Sequence, residues 1–168
     1  MELKFRTDPL KKDIARIREI VESSGFFYDF ETDVAVELVE ERLTEGASSG
    51  YHFVFAEADG VTVAYSCFGH VEMTKSCFDL YWISTHHDFR GKGIGKQLLA
   101  ETCREARKMG CTLMIAETSG REKYAPTRAF YDSAGFALEA TIRDYYDKDD
   151  DKLVYIKRFG QDNPSGSL

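Results

Sequence analysis

The chain has no stretch that would carry it into or across a membrane. No uninterrupted apolar run approaches the roughly 20 residues that span a bilayer, and the opening Met1-Glu2-Leu3-Lys4 has no apolar signal core. A soluble, cytosolic protein is expected. Cysteine is scarce and unpatterned: Cys67, Cys77, Cys103 and Cys111 form no CxxC pair, and two of them sit inside apolar runs where a thiol behaves as a small hydrophobe. That usage fits a reducing compartment. Basic charge is also in deficit, since a formal net charge of -7 leaves no basic stripe of the kind that marks nucleic-acid binding. The acidic balance mildly favours cationic substrates. Histidine offers no obvious metal site. His86 and His87 are read as adjacent strand residues that point to opposite faces, while His52 and His70 stand apart in sequence. No metal is expected, and no internal repeat is evident.

What is present fits one domain over residues 1–160, with a tail from Gln161 that reads as disordered. A chain of 168 residues buries roughly two-thirds of its unfolded surface, enough for one core without staples. Asp8-Pro9 reads as an N-cap followed by proline at the first helical position, ahead of an apolar stripe of Leu10, Ile14, Ile17, Ile20 and Val21. Ser23-Ser24-Gly25 stops that helix. A second amphipathic helix is expected over 32–43, with Val34, Leu38 and Val39 on its apolar side, after the aromatic linker Gly25 to Phe30. Residues 51–58 and 61–68 flank Asp59-Gly60, a favoured two-residue hairpin turn. Further strands are expected over 78–85, 111–118, 137–142 and 152–158, and a helix over 96–109. Asp144-Tyr145-Tyr146-Asp147 reads as an acidic turn. Early helices, a hairpin and then β-α-β-α-β-β give an α/β (α+β) fold, a mixed sheet flanked by helices.

The most specific stretch is Arg90-Gly91-Lys92-Gly93-Ile94-Gly95, lying between a strand and a helix that begins near Lys96. A Gly-rich turn there converges backbone N–H groups on one small volume, and the helix N-terminus adds partial positive charge, so a phosphate is the expected ligand. Two familiar phosphate loops do not fit. The P-loop count backwards from Gly95-Lys96 lands on Arg90 rather than glycine, and Gln97 stands where a magnesium-binding hydroxyl belongs. In the dinucleotide fingerprint the third glycine would come one residue later.

The loop does resemble the Arg/Gln-x-x-Gly-x-Gly/Ala segment with which GNAT N-acetyltransferases hold the pyrophosphate of acetyl-CoA, with Arg90, Gly93 and Gly95 at the specifying positions. Three further stretches resemble the same superfamily in the same order: Leu80 to Phe89, Thr127 to Phe136, and Asp144-Tyr145-Tyr146 followed by Leu153 to Lys157. The resemblance covers roughly residues 50–160. It implies a mostly antiparallel central sheet of about six to seven strands, splayed at the acetyl-CoA site. It also implies that the backbone of Ile83, Ser84 and Thr85 pairs with the pantetheine arm. Arg90, Gly91, Lys92, Gly93, Ile94, Gly95 and Lys96 would cradle the pyrophosphate, the lysines adding charge-assisted contacts.

The activity implied is transfer of the acetyl group of acetyl-CoA to a primary amine of a small molecule, amino acid or peptide. Such a reaction needs a base for the amine and an acid for the departing thiolate. Tyr131 matches the family's tyrosine, whose phenol reaches the CoA sulfur, and so is both the acid candidate and a cofactor contact. Asp79 lies where histone-type members place a glutamate, shortened here by one methylene, and Glu117 at the end of the next strand is its rival; either could act through water. Tyr124 and Thr127 stand where the family often has asparagine and alanine, so Tyr124 is a cofactor contact only by position. Aromatic and acidic walls from the Gly25 to Phe30 linker and the aspartates at 144–151 would suit an ammonium group. Dimers are frequent in the resembled family, so a homodimer is compatible. The competing class is a non-catalytic acyl-CoA sensor or an interaction module, which would need no acid or base.

Overall fold

Seven strands follow one another across a sheet in the order β1-β2-β3-β4-β5-β7-β6 in the computed structural model, which describes residues 1–160. The expected tail from Gln161 lies outside the described residues. The strands are β1 Leu3–Arg6, β2 His52–Ala58, β3 Val61–His70, β4 Cys77–Thr85, β5 Leu113–Ser119, β6 Ala137–Asp147 and β7 Asp150–Arg158. The four α-helices are α1 Asp13–Ser23, α2 Asp29–Glu45, α3 Ile94–Lys108 and α4 Ala125–Ser133. The mixed, mostly antiparallel α/β architecture is the one expected. The chain divides into two compact units, Met1–Gly69 with Leu80–Glu105, and His70–Asp79 with the residues from Ala106 onward.

In the first unit β1, β2 and β3 pair antiparallel, and the Asp59-Gly60 turn closes β2 on β3 with both residues at positive φ, 49° and 79°. That is the twist a two-residue hairpin demands. On one face, Ile17, Ile20 and Val21 of α1 and Ala35, Val36 and Val39 of α2 bury Phe53, Phe55, Tyr65 and Cys67. On the other, Ser66 of β3 shares a hydrogen bond of 2.7 Å with Thr102 of α3. Both faces of β3 are therefore covered, which is why its sequence runs apolar without clean alternation.

Three sequence expectations change here. Helix α1 starts at Asp13 rather than at Asp8-Pro9, leaving Leu10 exposed. The cause is Asp13 itself: it is 1% exposed, takes two hydrogen bonds of 2.9 Å from the Arg6 guanidinium and caps the Leu10 N–H at 2.7 Å. The partner strand β1 was not foreseen. Helix α2 is longer than expected and buries Thr32, Ala35, Val36 and Val39, with Leu38 partly buried and Val34 exposed. Acidic residues between its apolar ones blur the phase of the stripe.

The second unit is built on β7, which pairs antiparallel with β5 (Glu117 opposite Val154) and with β6 (Thr141 opposite Leu153). Strand β6 extends through Tyr145, Tyr146 and Asp147, so the expected turn at 144–147 is strand instead. The chain reverses at Lys148-Asp149, where Asp149 takes φ 59° and its N–H donates to Asp144 at 2.7 Å. Helix α4 carries Pro126 in its first turn and ends where the Phe136 N–H returns to the Tyr131 carbonyl at 3.0 Å, with Gly135 at φ 85°. This is the Gly-terminated helix end that glycine makes cheap.

Candidate active site

The loop after β4 has the geometry of an anion cradle. Gly91 and Gly93 take φ 72° and 75°, a backbone region that costs other residues energy, and α3 begins immediately at Ile94. Helix α3 is anchored by Ile94, Leu98 and Leu99, each no more than 1% exposed, so its N-terminus is held in place. The first backbone bond into the helix runs from the Gln97 N–H to the Gly93 carbonyl at 3.2 Å. Among the described residues, none of the N–H groups of Gly91, Lys92, Gly93, Ile94, Gly95 and Lys96 has a backbone acceptor. Six unpaired donors at a helix start are what a pyrophosphate satisfies. A Cβ built on Gly91 or Gly93 meets nothing within 4 Å, so these glycines serve conformation and access rather than tight packing.

The cations of the loop are held without carboxylate partners among the described residues. Arg90 donates to the Thr85 carbonyl at 3.4 Å and lies 5.7 Å from the centroid of Phe26, while Lys92 lies 5.2 Å from that of Phe89. Aromatic support keeps the charges placed yet available. Ile83, Ser84 and Thr85 close β4 just before this loop, with Ser84 buried. The first unit thus brings the whole expected donor-binding stretch, 83–96, into one continuous strand-turn-helix.

The turn also overturns one premise. The chain leaves β4 at Thr85, and His87–Phe89 form a short 3-10 turn, so His86 and His87 are not strand neighbours on opposite faces. Their rings lie 5.0 Å apart, and His87 Nε2 meets Asp88 Oδ1 at 2.9 Å. Ligand atoms of His86, His87 and Asp88 fall within 4.8 Å of one another, although Asp88 already engages both rings.

The second unit holds the expected acid and base residues. Tyr131 on α4 is 5% exposed and packs against Tyr155 and Phe136 with ring centroids 5.8 and 5.5 Å apart. Burial pushes its phenol well above the usual range. Asp79 is partly buried and accepts no hydrogen bond or ion pair among the described residues. Burial, then the Glu117 charge, raise its carboxyl above the ordinary value, while Lys152 acts in the opposite sense. Glu117 is exposed and bound to Lys152, Oε2 to Nζ, at 2.8 Å. Lys152 was not foreseen. No local motif marks it; only the β5–β7 register, with Glu117 opposite Val154 and Ser119 opposite Lys152, puts it beside Glu117.

Tyr124 ends a short 3-10 turn leading into α4, beneath the Lys123 ammonium at 5.7 Å from its ring centroid. That segment is pinned by Arg128, which donates to the carbonyls of Ser119 and Arg121 at 3.0 and 2.7 Å. The aromatic linker is divided: Phe27 packs on Trp82 at 4.9 Å between centroids, whereas Tyr28 and Phe30 stack on each other while 70% and 66% exposed.

The fold and the loop define a class: an open-sheet α/β protein with an anion cradle between a central strand and a helix. Comparison with known proteins gives the family. The model of the acetyltransferase (GNAT) family matches residues 14–136. A search of curated proteins found no match. Among solved structures, a protein of Desulfovibrio desulfuricans assigned to the GNAT acetyltransferases is 45% identical, with TM-score 0.92, covering 94% of this chain and 99% of that one. The ribosomal-protein-S18-alanine N-acetyltransferase of Escherichia coli shares the fold at 18% identity, with TM-score 0.74 and coverage of 99% and 100%. So does Salmonella typhimurium yncA, solved with its cofactor acetyl-CoA, at 21% identity, TM-score 0.73 and full coverage of both chains, 100% each. The chain belongs to the acetyltransferase (GNAT) family.

Proposed function

We propose that this chain transfers the acetyl group of acetyl-CoA to a primary amine of a small molecule, amino acid or peptide. The observation that carries the reading is the row of N–H groups from Gly91 to Lys96 at the start of α3 that have no backbone acceptor among the described residues, beside cations that no described carboxylate pairs with. Acetyl-CoA supplies the acetyl group as a thioester. The N–H groups of the loop bind its pyrophosphate, with Arg90, Lys92 and Lys96 adding charge, and the backbone of Ile83, Ser84 and Thr85 orients the pantetheine arm. Tyr124 lines the entrance.

Asp79 takes a proton from the acceptor ammonium, directly or through one water, and leaves the nitrogen lone pair able to form the new amide bond. As the carbon–sulfur bond breaks, the Tyr131 Oη gives its proton to the departing sulfur. A phenol raised by burial keeps that proton at neutral pH, so it is present when the sulfur needs it. Solvent then returns one proton to Tyr131, removes one from Asp79 and takes the second proton from the new amide nitrogen, for a net release of one proton. Glu117 is the rival base, and its bond to Lys152 counts against it. The free cysteines support a reducing, cytosolic setting. No helix among the described residues is long and apolar enough to cross a membrane.

The test is CoA release from acetyl-CoA over a panel of amines, amino acids and peptides. Turnover with at least one acceptor is expected. Tight acetyl-CoA binding with no turnover on any amine would replace this reading with that of an acyl-CoA sensor.

A further inference from the structure

Resting on the acetyl-transfer reading, we propose that Lys152 is a positioning residue that ties up Glu117 and leaves Asp79 as the carboxylate that accepts the acceptor's proton. The lysine is held on two sides. Its Nζ meets Glu117 Oε2 at 2.8 Å and lies 4.3 Å from the centroid of Tyr145, and its side chain is only 13% exposed. Tyr145 is braced in turn by Tyr146, edge to face, with centroids 5.0 Å apart. Antiparallel pairing sets Glu117 opposite Val154, and Lys152 is two residues from Val154 on the same face of β7. The ion pair is therefore a product of register, not of a flexible lysine finding a chance partner.

A carboxylate with an oxygen bound to an ammonium has fewer lone pairs open to an incoming proton than an unpaired one. Glu117 is in this position and Asp79 is not: among the described residues Asp79 makes no hydrogen bond or ion pair, so its lone pairs stay open to an amine or a water. The groups around Asp79 are Glu117 from β5, Lys152 from β7 and Cys77 on its own strand. Beyond them Tyr145 and Tyr146 of β6 face Lys152 and Glu117, and Asp150 acts on Tyr146. Only Lys152 is cationic in that set. It opposes, without cancelling, burial and the Glu117 charge, which drive Asp79 towards its neutral form. The lysine thereby has two effects: it occupies one carboxylate and keeps the other ionised at a lower pH.

The test reads the Asp79 side-chain carboxyl carbon by NMR titration of the full chain, with its signal assigned by loss in Asp79→Asn. The midpoint should rise in Lys152→Met, stay near wild type in Lys152→Arg, and fall in Glu117→Gln. The acid limb of the kcat/KM profile should move in the same directions. Asp79→Asn should cost about 10²-fold or more and Glu117→Gln less than about 10-fold. An Asp79 midpoint unmoved by Lys152→Met, or a larger activity loss in Glu117→Gln than in Asp79→Asn, would overturn the assignment. Either result leaves acetyl transfer intact, because wild-type turnover is measured alongside. No wild-type turnover on any amine would instead sink the acetyl-transfer reading, and the proton role with it.

Discussion

Tyr131 and Asp79 show what burial does to single residues here. Tyr131 is held among Phe130, Phe136 and Tyr155, and burial keeps its phenol protonated through the physiological range. Tyr131→Phe removes one oxygen and little volume. Its kcat should fall about 10²-fold, with the thermal shift given by acetyl-CoA unchanged; full kcat in the variant would take Tyr131 out of the chemistry. Asp79 has the opposite economy. Its carboxyl is raised above the ordinary 3.8 by burial first and Glu117 second, so the folded chain binds that proton more tightly than the unfolded chain does. Stability from this group is therefore greatest at low pH and declines as pH rises from 3.8 through the higher folded value. Asp79→Asn removes the penalty of a partly buried charge. The variant should melt above wild type at pH 7, and the gap should close on acidification to below the ordinary carboxylate value; a gap that ignores pH would refute the burial argument.

At the scale of elements, the cradle is a conformational device. Gly93→Ala puts a side chain where φ is 75°, with no atom within 4 Å to clash, so its cost of about 1–2 kcal/mol comes from the backbone. If the loop moves to relieve it, the N–H groups diverge and KM for acetyl-CoA should rise about tenfold, the equivalent of roughly 1.4 kcal/mol. Gly50→Ala, at φ 78° with equally open surroundings, is the control: a similar stability loss with KM unchanged. The α1 start is an ionic device. Asp13→Ala strands part of the Arg6 guanidinium, which keeps Glu57 at 3.1 Å, and should cost about 2–3 kcal/mol in chemical denaturation. These two elements also show why some boundaries are legible in sequence. The Asp59-Gly60 hairpin depends on two residues and their own φ preferences, so it is local and readable. The start of α1 depends on Arg6 meeting Asp13, and the length of β6 on pairing with β7. Neither partnership is written in the segment it controls, so Asp8-Pro9 and the 144–147 aspartates mislead.

At the scale of the whole molecule the residues proposed to bind the donor and those proposed to handle protons differ in the same way. The residues proposed to bind the donor, 83–96, form one uninterrupted strand-turn-helix, a stretch whose motif is legible in the sequence. The residues proposed to handle protons, Asp79, Glu117 and Lys152, come from β4, β5 and β7, and only the β5–β7 register sets Lys152 beside Glu117. Acetyl-CoA at ~100 times its dissociation constant should stabilise the folded chain by about 2.7 kcal/mol. No shift in melting temperature would count against the cradle itself. The cysteines add a practical dimension. Cys67, Cys103 and Cys111 are buried, and Cys77 is the only partly exposed one among them. A colorimetric thiol reagent used to follow CoA should therefore see a low background from the folded protein. Cys77 is also informative in itself, because burial and then the Asp79 charge oppose its ionisation. Its alkylation rate becomes a native gauge of the neighbouring carboxylate: replacing Asp79 with asparagine should quicken labelling at Cys77, with no substrate needed.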